Sequence, residues 1–307
     1  MAPITTRTGY APVNGLQMYY EILGVPHADT PPLLVLHGAL ATLDMFGELL
    51  PTLAQTRQVI AVEQQGHGRT ADIDRPLSYK QMADDTAALL RFLGVTRADV
   101  FGFSMGGGVA WQLVIRHPDL VRKLIAGSST YTRAHGYIEA TGGLETTFSP
   151  EMFAGTPIEA DYLRVAPHPE AFPSLVRKVQ RLTMESEDIP ADVIRAIAAP
   201  TMVIAGDADI IRPEGAVELF RLRGGGVPGD YVGLPAARLA ILPGTTHMTA
   251  PTRTGWLRSM IAEFLDAPMP EGRQIPDGPL GLIGAGTRQR RLRWNGMGAD
   301  RIAVWRP

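Results

Sequence analysis

The sequence predicts an α/β fold with a mostly parallel, doubly wound sheet. Short uninterrupted apolar runs recur along the chain, as strands buried on both faces require. Helix-patterned stretches separate most of these runs, which gives the βαβ rhythm. The 307 residues, 45% hydrophobic and 20% charged, are enough for a full core in one large α/β domain.

The chain opens with a hairpin signal. Gly9–Val13 and Leu16–Ile22 flank Asn14-Gly15. Both central residues of such a turn need positive φ, which Asn and Gly tolerate best. Leu33–His37 is the first continuous apolar run. Val59–Val62, Asp99–Phe101, Leu124–Ala126, Met202–Ala205 and Leu239–Leu242 repeat the pattern. Between them, Tyr79 to Leu93 reads as an amphipathic helix with Asp84 and Asp85 on its polar face, closed by Gly94. Gly108 to His117 reads as a second helix, stopped by Pro118.

Residues 131–199 break the rhythm, with no buried-strand run and prolines at 150, 157, 167, 169, 173 and 190. So long a segment between two core strands is expected to be an inserted helical lid. The core is then 1–130 plus 200–267. Glu185-Ser186-Glu187-Asp188 reads as a solvated face of the lid. Gly224–Gly229 reads as a surface loop, since no Lys-Ser/Thr follows it and no strand leads into it. From Pro268 onward no apolar period remains. Seven arginines there oppose Glu271, Asp277 and Asp300, a balance of +4, so the rest of the chain carries −6 of the total −2. A loosely ordered basic tail over 268–307 is expected.

Composition excludes several classes. A net charge of −2 gives no reason to expect nucleic acid or a membrane surface as partner. The cysteine count of zero rules out disulfides, thiolate metal sites and cysteine nucleophiles. The start of the chain lacks the apolar core of a secretory signal, and no apolar stretch reaches spanning length. A cytoplasmic protein, monomeric or a small homo-oligomer, is the expectation. His27, His67, His117, His135 and His168 show no ligand spacing, so neither a metal nor any other cofactor is expected.

Four stretches fall at the carboxyl ends of expected strands, where open α/β sheets place their site. Gly102-Phe103-Ser104-Met105-Gly106 sits between a strand and a helix. A serine there with a glycine two places to either side is the nucleophile elbow of serine hydrolases. His37-Gly38-Ala39-Leu40 can present the amide of Ala39, which with the amide of Met105 would form an oxyanion hole. His37 itself is expected to be a structural hydrogen-bonding residue. Gly206-Asp207-Ala208-Asp209 offers two carboxylates. Asp209 is the expected triad acid, and Asp207 is expected to cap the turn through its own backbone amides. Gly244-Thr245-Thr246-His247-Met248 supplies His247 as the general base. The order Ser104, Asp209, His247 is that of α/β-hydrolase triads, not of chymotrypsin-like or subtilisin-like ones. Leu40, Phe103, Met152, Phe153, Tyr162 and Met248 are candidates to line the substrate pocket. The lid members among them fit equally well as packing within the lid's own small core.

On these residues the chain resembles the α/β-hydrolase superfamily, in its serine esterase and haloperoxidase-like branch. The resemblance runs from about Leu16 to Asp266, through His37-Gly38, Gln65-Gly66-His67-Gly68-Arg69-Thr70, the serine elbow, Gly206–Asp209 and Gly244–His247. It implies the family's fold and triad. Many members carry Asp and Arg before the glycine turn and Ser after it, where this chain has Glu63, Gln64-Gln65 and Thr70; the turn is expected to survive. Epoxide hydrolases and haloalkane dehalogenases of this fold use an aspartate nucleophile, so Ser104 argues against both. A serine forms an acyl-enzyme, which makes hydrolysis of a small-molecule carboxylic ester, or a lactone or thioester, the leading reaction. Cofactor-free perhydrolases, C–C bond hydrolases and acyltransferases share the triad. A non-catalytic ligand-binding member of the fold is the remote alternative.

Overall fold

The computed structural model describes residues 4–137 and 149–268. Eight strands form one sheet in the order β1-β2-β4-β3-β5-β6-β7-β8. They are β1 Thr6–Val13, β2 Leu16–Leu23, β3 Leu33–Leu36, β4 Val59–Val62, β5 Ala98–Phe103, β6 Val121–Gly127, β7 Thr201–Ala208 and β8 Ala237–Thr246. β1 pairs antiparallel with β2, and β2 antiparallel with β4. Every pair from β4 to β8 is parallel. The hairpin turns at Asn14 (φ 48°) and Gly15 (φ 85°), as the Asn-Gly pair requires.

Alternation along the strands splits the core into two layers. Leu34, Leu36, Ile60, Val62, Val100 and Leu124 face one side, packed with the helices α2 (Tyr79–Phe92) and α3 (Met105–Arg116). Leu33, Val35, Val59, Ala61, Phe101 and Ile125 face the other, against α1 (Leu49–Leu53) and a carboxyl-terminal helix, Thr254–Asp266. Both faces are covered, which explains why these strands read as unbroken apolar runs.

α3 starts at Met105, three residues earlier than its apolar pattern suggests. The glycines that blur its start are imposed by contact. A Cβ on Gly106 would lie 2.3 Å from the Leu36 carbonyl oxygen, and one on Gly102 would lie 2.2 Å from that of Gly106. Strand and helix thus meet at the elbow more closely than any side chain allows. The glycine turn after β4 also keeps its form despite the exchanged residues. Glu63 accepts from the amides of Arg69 (2.5 Å) and Leu43 (3.2 Å), while Thr70 Oγ1 donates to the Glu63 carbonyl at 2.7 Å.

Between β6 and β7 the described residues form α4 (Pro150–Phe153), α5 (Pro157–Val165), α6 (Phe172–Glu185) and α7 (Ala191–Ala196). α5 begins with a side-chain cap at Thr156, and Glu159 reaches back past it to the preceding residue. Thr156 Oγ1 accepts from the Glu159 amide, and the Glu159 carboxylate accepts from the Gly155 amide at 2.7 Å. α6 buries Phe172, Leu175, Val176, Val179 and Leu182, a helical stripe that joins the core on the α2–α3 face. Its polar side reaches the loop after β4, where Lys178 Nζ meets Asp72 at 2.7 Å and the carbonyls of Ile73 and Arg75 at 2.9 Å. Arg164 pairs with Asp44 in the loop after β3. α5 and α6 therefore stand at the carboxyl edge of the sheet.

The segment's two ends are clasped together. Asp188 accepts from Thr132 Oγ1 (2.7 Å) and the Arg133 amide (2.9 Å), and the Ile189 amide donates to the Tyr131 carbonyl at 2.8 Å. Asp188 stays exposed with Glu185 and Glu187, as the solvated-face reading expects, yet its bonds reach partners 55 or more residues away in sequence. After β7 comes α8 (Pro213–Leu222), capped by Arg223. The Arg223 guanidinium is buried and donates to the carbonyls of Ile194, Arg195, Ile197 and Ala199, which fastens the end of α7 to the start of β7. Burial lowers its pKa to about 10. Expectations for the basic tail concern residues 269–307, and part of those for the lid concern 138–148, all outside the described residues. Among the described residues no helix is long and apolar enough to cross a membrane.

Candidate active site

The sheet reverses its winding between β3 and β5, since β4 lies on one side of β3 and β5 on the other. The crevice at such a switch point is where this architecture binds ligands. His37-Gly38-Ala39 leaves β3 there, and Ser104 leaves β5. A Cβ on Gly38 would lie 3.5 Å from the Ser104 Cβ, so the two loops are in contact.

Ser104 has φ 55° and ψ −117°, outside the regions an ordinary side chain prefers. The strain is held by its neighbours. Its amide donates to the Gly127 carbonyl at 2.8 Å, and its own carbonyl accepts from the amides of Gly107 (2.9 Å) and Gly108 (3.1 Å). Its hydroxyl then faces His247, with Oγ 2.9 Å from Nε2. On the other side of the ring, Nδ1 lies 2.7 Å from Asp209 Oδ1. A carboxylate can only accept here, so Nδ1 carries the proton and Nε2 is free to accept from the serine. Phe103 packs beside the imidazole, ring centroids 5.1 Å apart.

Asp209 is buried and fully bonded. Oδ1 also accepts from the Ile211 amide (3.4 Å). Oδ2 accepts from the Gly206 amide (3.2 Å) and from Ser128 Oγ (2.5 Å). Burial pushes the carboxyl pKa up, but the bond and charge of His247, then Ser128 and Gly206, outweigh it and hold it below the usual range. Asp207 has a different job. Its carboxylate is exposed and accepts from the amides of Gly244 (2.9 Å) and Thr245 (3.0 Å), which lower its pKa. The expected cap through its own amides is thus chiefly a brace across to the loop that carries His247.

The amides of Ala39 and Met105 donate no hydrogen bond to protein among the described residues. Met105 stands first in α3, where helix amides lack an intrahelical partner. The remaining pocket candidates disperse. Leu40 is buried with φ 58°. Tyr162 stacks on Phe172 at 5.1 Å inside the core, and Phe153 meets the same ring at 6.5 Å. Met152 and Met248 are exposed. Sequence reading missed Ser128; the available signal was a hydroxyl immediately after a buried strand, at the same edge as the other site residues.

His37 holds the floor of the site. Its Nδ1 donates to the Gly38 carbonyl (2.7 Å) and Nε2 accepts from the Gln64 amide (3.0 Å). Its ring lies 5.0 Å from that of His67, whose Nε2 has no hydrogen-bond partner among the described residues. Burial lowers the pKa of His37 from 6.5 to about 4 and that of His67 to about 3. As pH drops below 6.5 the unfolded chain takes up protons that the fold refuses, so stability falls from there until the folded values are reached. The thermal midpoint is expected to be lower at pH 5 than at pH 7, and less so in His67→Gln. A midpoint independent of pH over that interval would contradict the burial of both rings as neutral species.

Residues 31–149 match a family model described as the alpha/beta hydrolase fold. A pimeloyl-[acyl-carrier protein] methyl ester esterase of Neisseria meningitidis serogroup C is 40% identical over 107 residues, 34% of this chain and 40% of that protein. The match thus spans about two fifths of that curated relative's length. The enol-lactonase of Burkholderia xenovorans LB400 superposes with TM-score 0.63 at 20% identity, covering 83% of this chain and 99% of that one. The 2-hydroxy-6-oxo-6-phenylhexa-2,4-dienoate hydrolase of Rhodococcus sp. strain RHA1 gives 0.66 at 20% identity, covering 86% and 100%. At that identity the likeness is one of fold.

Proposed function

Because this chain belongs to the α/β-hydrolase superfamily, we propose that it hydrolyses carboxylic esters, lactones included, through an acyl-enzyme on Ser104. The observation that carries the reading is the unbroken relay Asp209–His247–Ser104, at 2.7 and 2.9 Å, ending on a strained elbow serine. The methyl ester esterase that shares 40% identity over 107 residues supports ester chemistry.

Each residue has a role in this reading. His247 Nε2 takes the hydroxyl proton as Ser104 Oγ attacks the ester carbonyl carbon. The amides of Ala39 and Met105 receive the developing oxyanion. Such donors are worth roughly 3–4 kcal/mol each in the transition state. Asp209 keeps the proton on Nδ1 and stabilises the imidazolium. The imidazolium then protonates the departing alcohol, which leaves the acyl group on Ser104. Water, deprotonated by the same ring, attacks that ester and releases the acid. The helices α5 and α6 cover the carboxyl edge as part of a lid that shapes the acyl pocket.

A panel of p-nitrophenyl esters, lactones, peracid-forming conditions and C–C bond substrates tests the reading. Turnover of at least one ester or lactone is the expected result. Rates confined to C–C substrates, or to an acyl acceptor other than water, would displace it.

A further inference from the structure

We infer that Ser128 is a positioning residue for the triad. It fixes the Asp209 carboxylate and, through its neighbour Gly127, ties the acid loop to the nucleophile elbow. The inference rests on the catalytic reading of Ser104, His247 and Asp209.

Three independent observations meet at this residue. The first is the bond itself. Ser128 Oγ lies 2.5 Å from Asp209 Oδ2, the oxygen that His247 does not use. The hydroxyl must donate, since the carboxylate of Asp209 is held ionised. Oδ1 faces the imidazole while Oδ2 is gripped by Ser128 and the Gly206 amide. A carboxylate held at one oxygen only could rotate about its bond to Cβ. Held at both, it keeps Oδ1 in the plane of the ring.

The second is backbone strain. Ser128 has φ 46°, one of four non-glycine residues with positive φ among the described residues; Ser104 is another. Serine has no intrinsic preference for this region, so it persists only where the surroundings impose it. The conformation turns the chain directly after β6, which brings the side chain back toward the acid loop. The Ser128 amide still donates to the Ile204 carbonyl at 2.7 Å, so the residue remains fixed to β7.

The third is the connection through Gly127. Its carbonyl accepts the Ser104 amide at 2.8 Å. Two consecutive residues at the end of β6 thus hold the two ends of the relay, the nucleophile by its backbone and the acid by its side chain. Ser128 is only 2% exposed, so the hydroxyl has no competing partner in bulk water. Its role is exerted through Asp209 and His247; it touches neither substrate nor the reacting atoms.

Ser128→Ala and Ser128→Gly test this together. Both remove the hydroxyl, but glycine also relieves the positive φ. If the hydroxyl matters for positioning, both variants lose roughly ten- to a hundredfold in kcat with KM within about twofold, the loss expected when a buried charge-assisted hydrogen bond is removed. The glycine variant should melt no lower than the alanine variant. The downfield proton resonance of His247 Nδ1–H should move in both. The rate at which a fluorophosphonate labels Ser104 should fall in step with kcat, and this readout needs no assumption about the acyl group. A wild type that labels at Ser104 but cleaves no ester sinks the ester reading and leaves the Ser128 comparison intact. Folded variants with wild-type labelling rates and an unmoved proton resonance overturn the role of Ser128, as does a wild type that does not label at all.

Discussion

Ser104→Ala is expected to lower kcat by roughly four to six orders of magnitude on any substrate the wild type turns over, with the fold intact. Alanine leaves the backbone hydrogen bonds of the elbow in place, because they run through the Ser104 amide and carbonyl to Gly127, Gly107 and Gly108. What disappears is the oxygen 2.9 Å from His247 Nε2 on which the covalent acyl intermediate would form. The positive φ of 55° is as costly for alanine as for serine, so a change in melting temperature should be small. Residual activity within a factor of about ten of wild type would remove Ser104 from the chemistry.

Asp209→Asn should cost roughly three to four orders of magnitude, while Asp207→Asn stays active. The two residues are separated by one alanine, yet their surroundings differ in kind. Asp209 is buried and points one oxygen at His247 Nδ1. An asparagine there presents either an amide donor or a neutral oxygen to the ring. The first reverses the tautomer, so that Nε2 would carry the proton and could no longer accept from Ser104; the second loses the charge that stabilises the imidazolium. Asp207 is exposed and accepts chiefly from the amides of Gly244 and Thr245, with its own and the Ala208 amide beside them. Asparagine keeps an acceptor for one of them, so the His247 loop keeps most of its brace. Steady-state kinetics on both variants, with melting curves to confirm folding, would decide. The reverse ranking would assign the acid to Asp207.

Much of the fold was legible because burial on both faces leaves a strong trace. Leu33–Leu36 and Val59–Val62 are apolar at every position, since each alternate residue meets a different core layer. The start of α3 was hidden because glycine carries no periodic signal, and glycine is what close approach to Leu36 demands. The site was legible in its order along the chain, because Ser104, Asp209 and His247 each follow a readable strand. Ser128 was not, because its importance depends on a strained turn and on a partner 81 residues away. The pocket was least legible. An aromatic such as Tyr162 reads the same whether it lines a cavity or, as here, packs on Phe172 in the core. The clasp at Asp188 was hidden for the same reason: the charge run is exposed as expected, but its partner Thr132 lies 56 residues away.

The central claim is a covalent acyl group on Ser104. Intact-protein mass spectrometry after rapid acid quench, with a slowly deacylated ester, tests it most directly. The expected result is a mass gain equal to the acyl group, mapped by proteolysis to the peptide carrying Ser104 and absent in Ser104→Ala. Ester turnover with no adduct in the wild type, or with the adduct on another residue, would contradict the account.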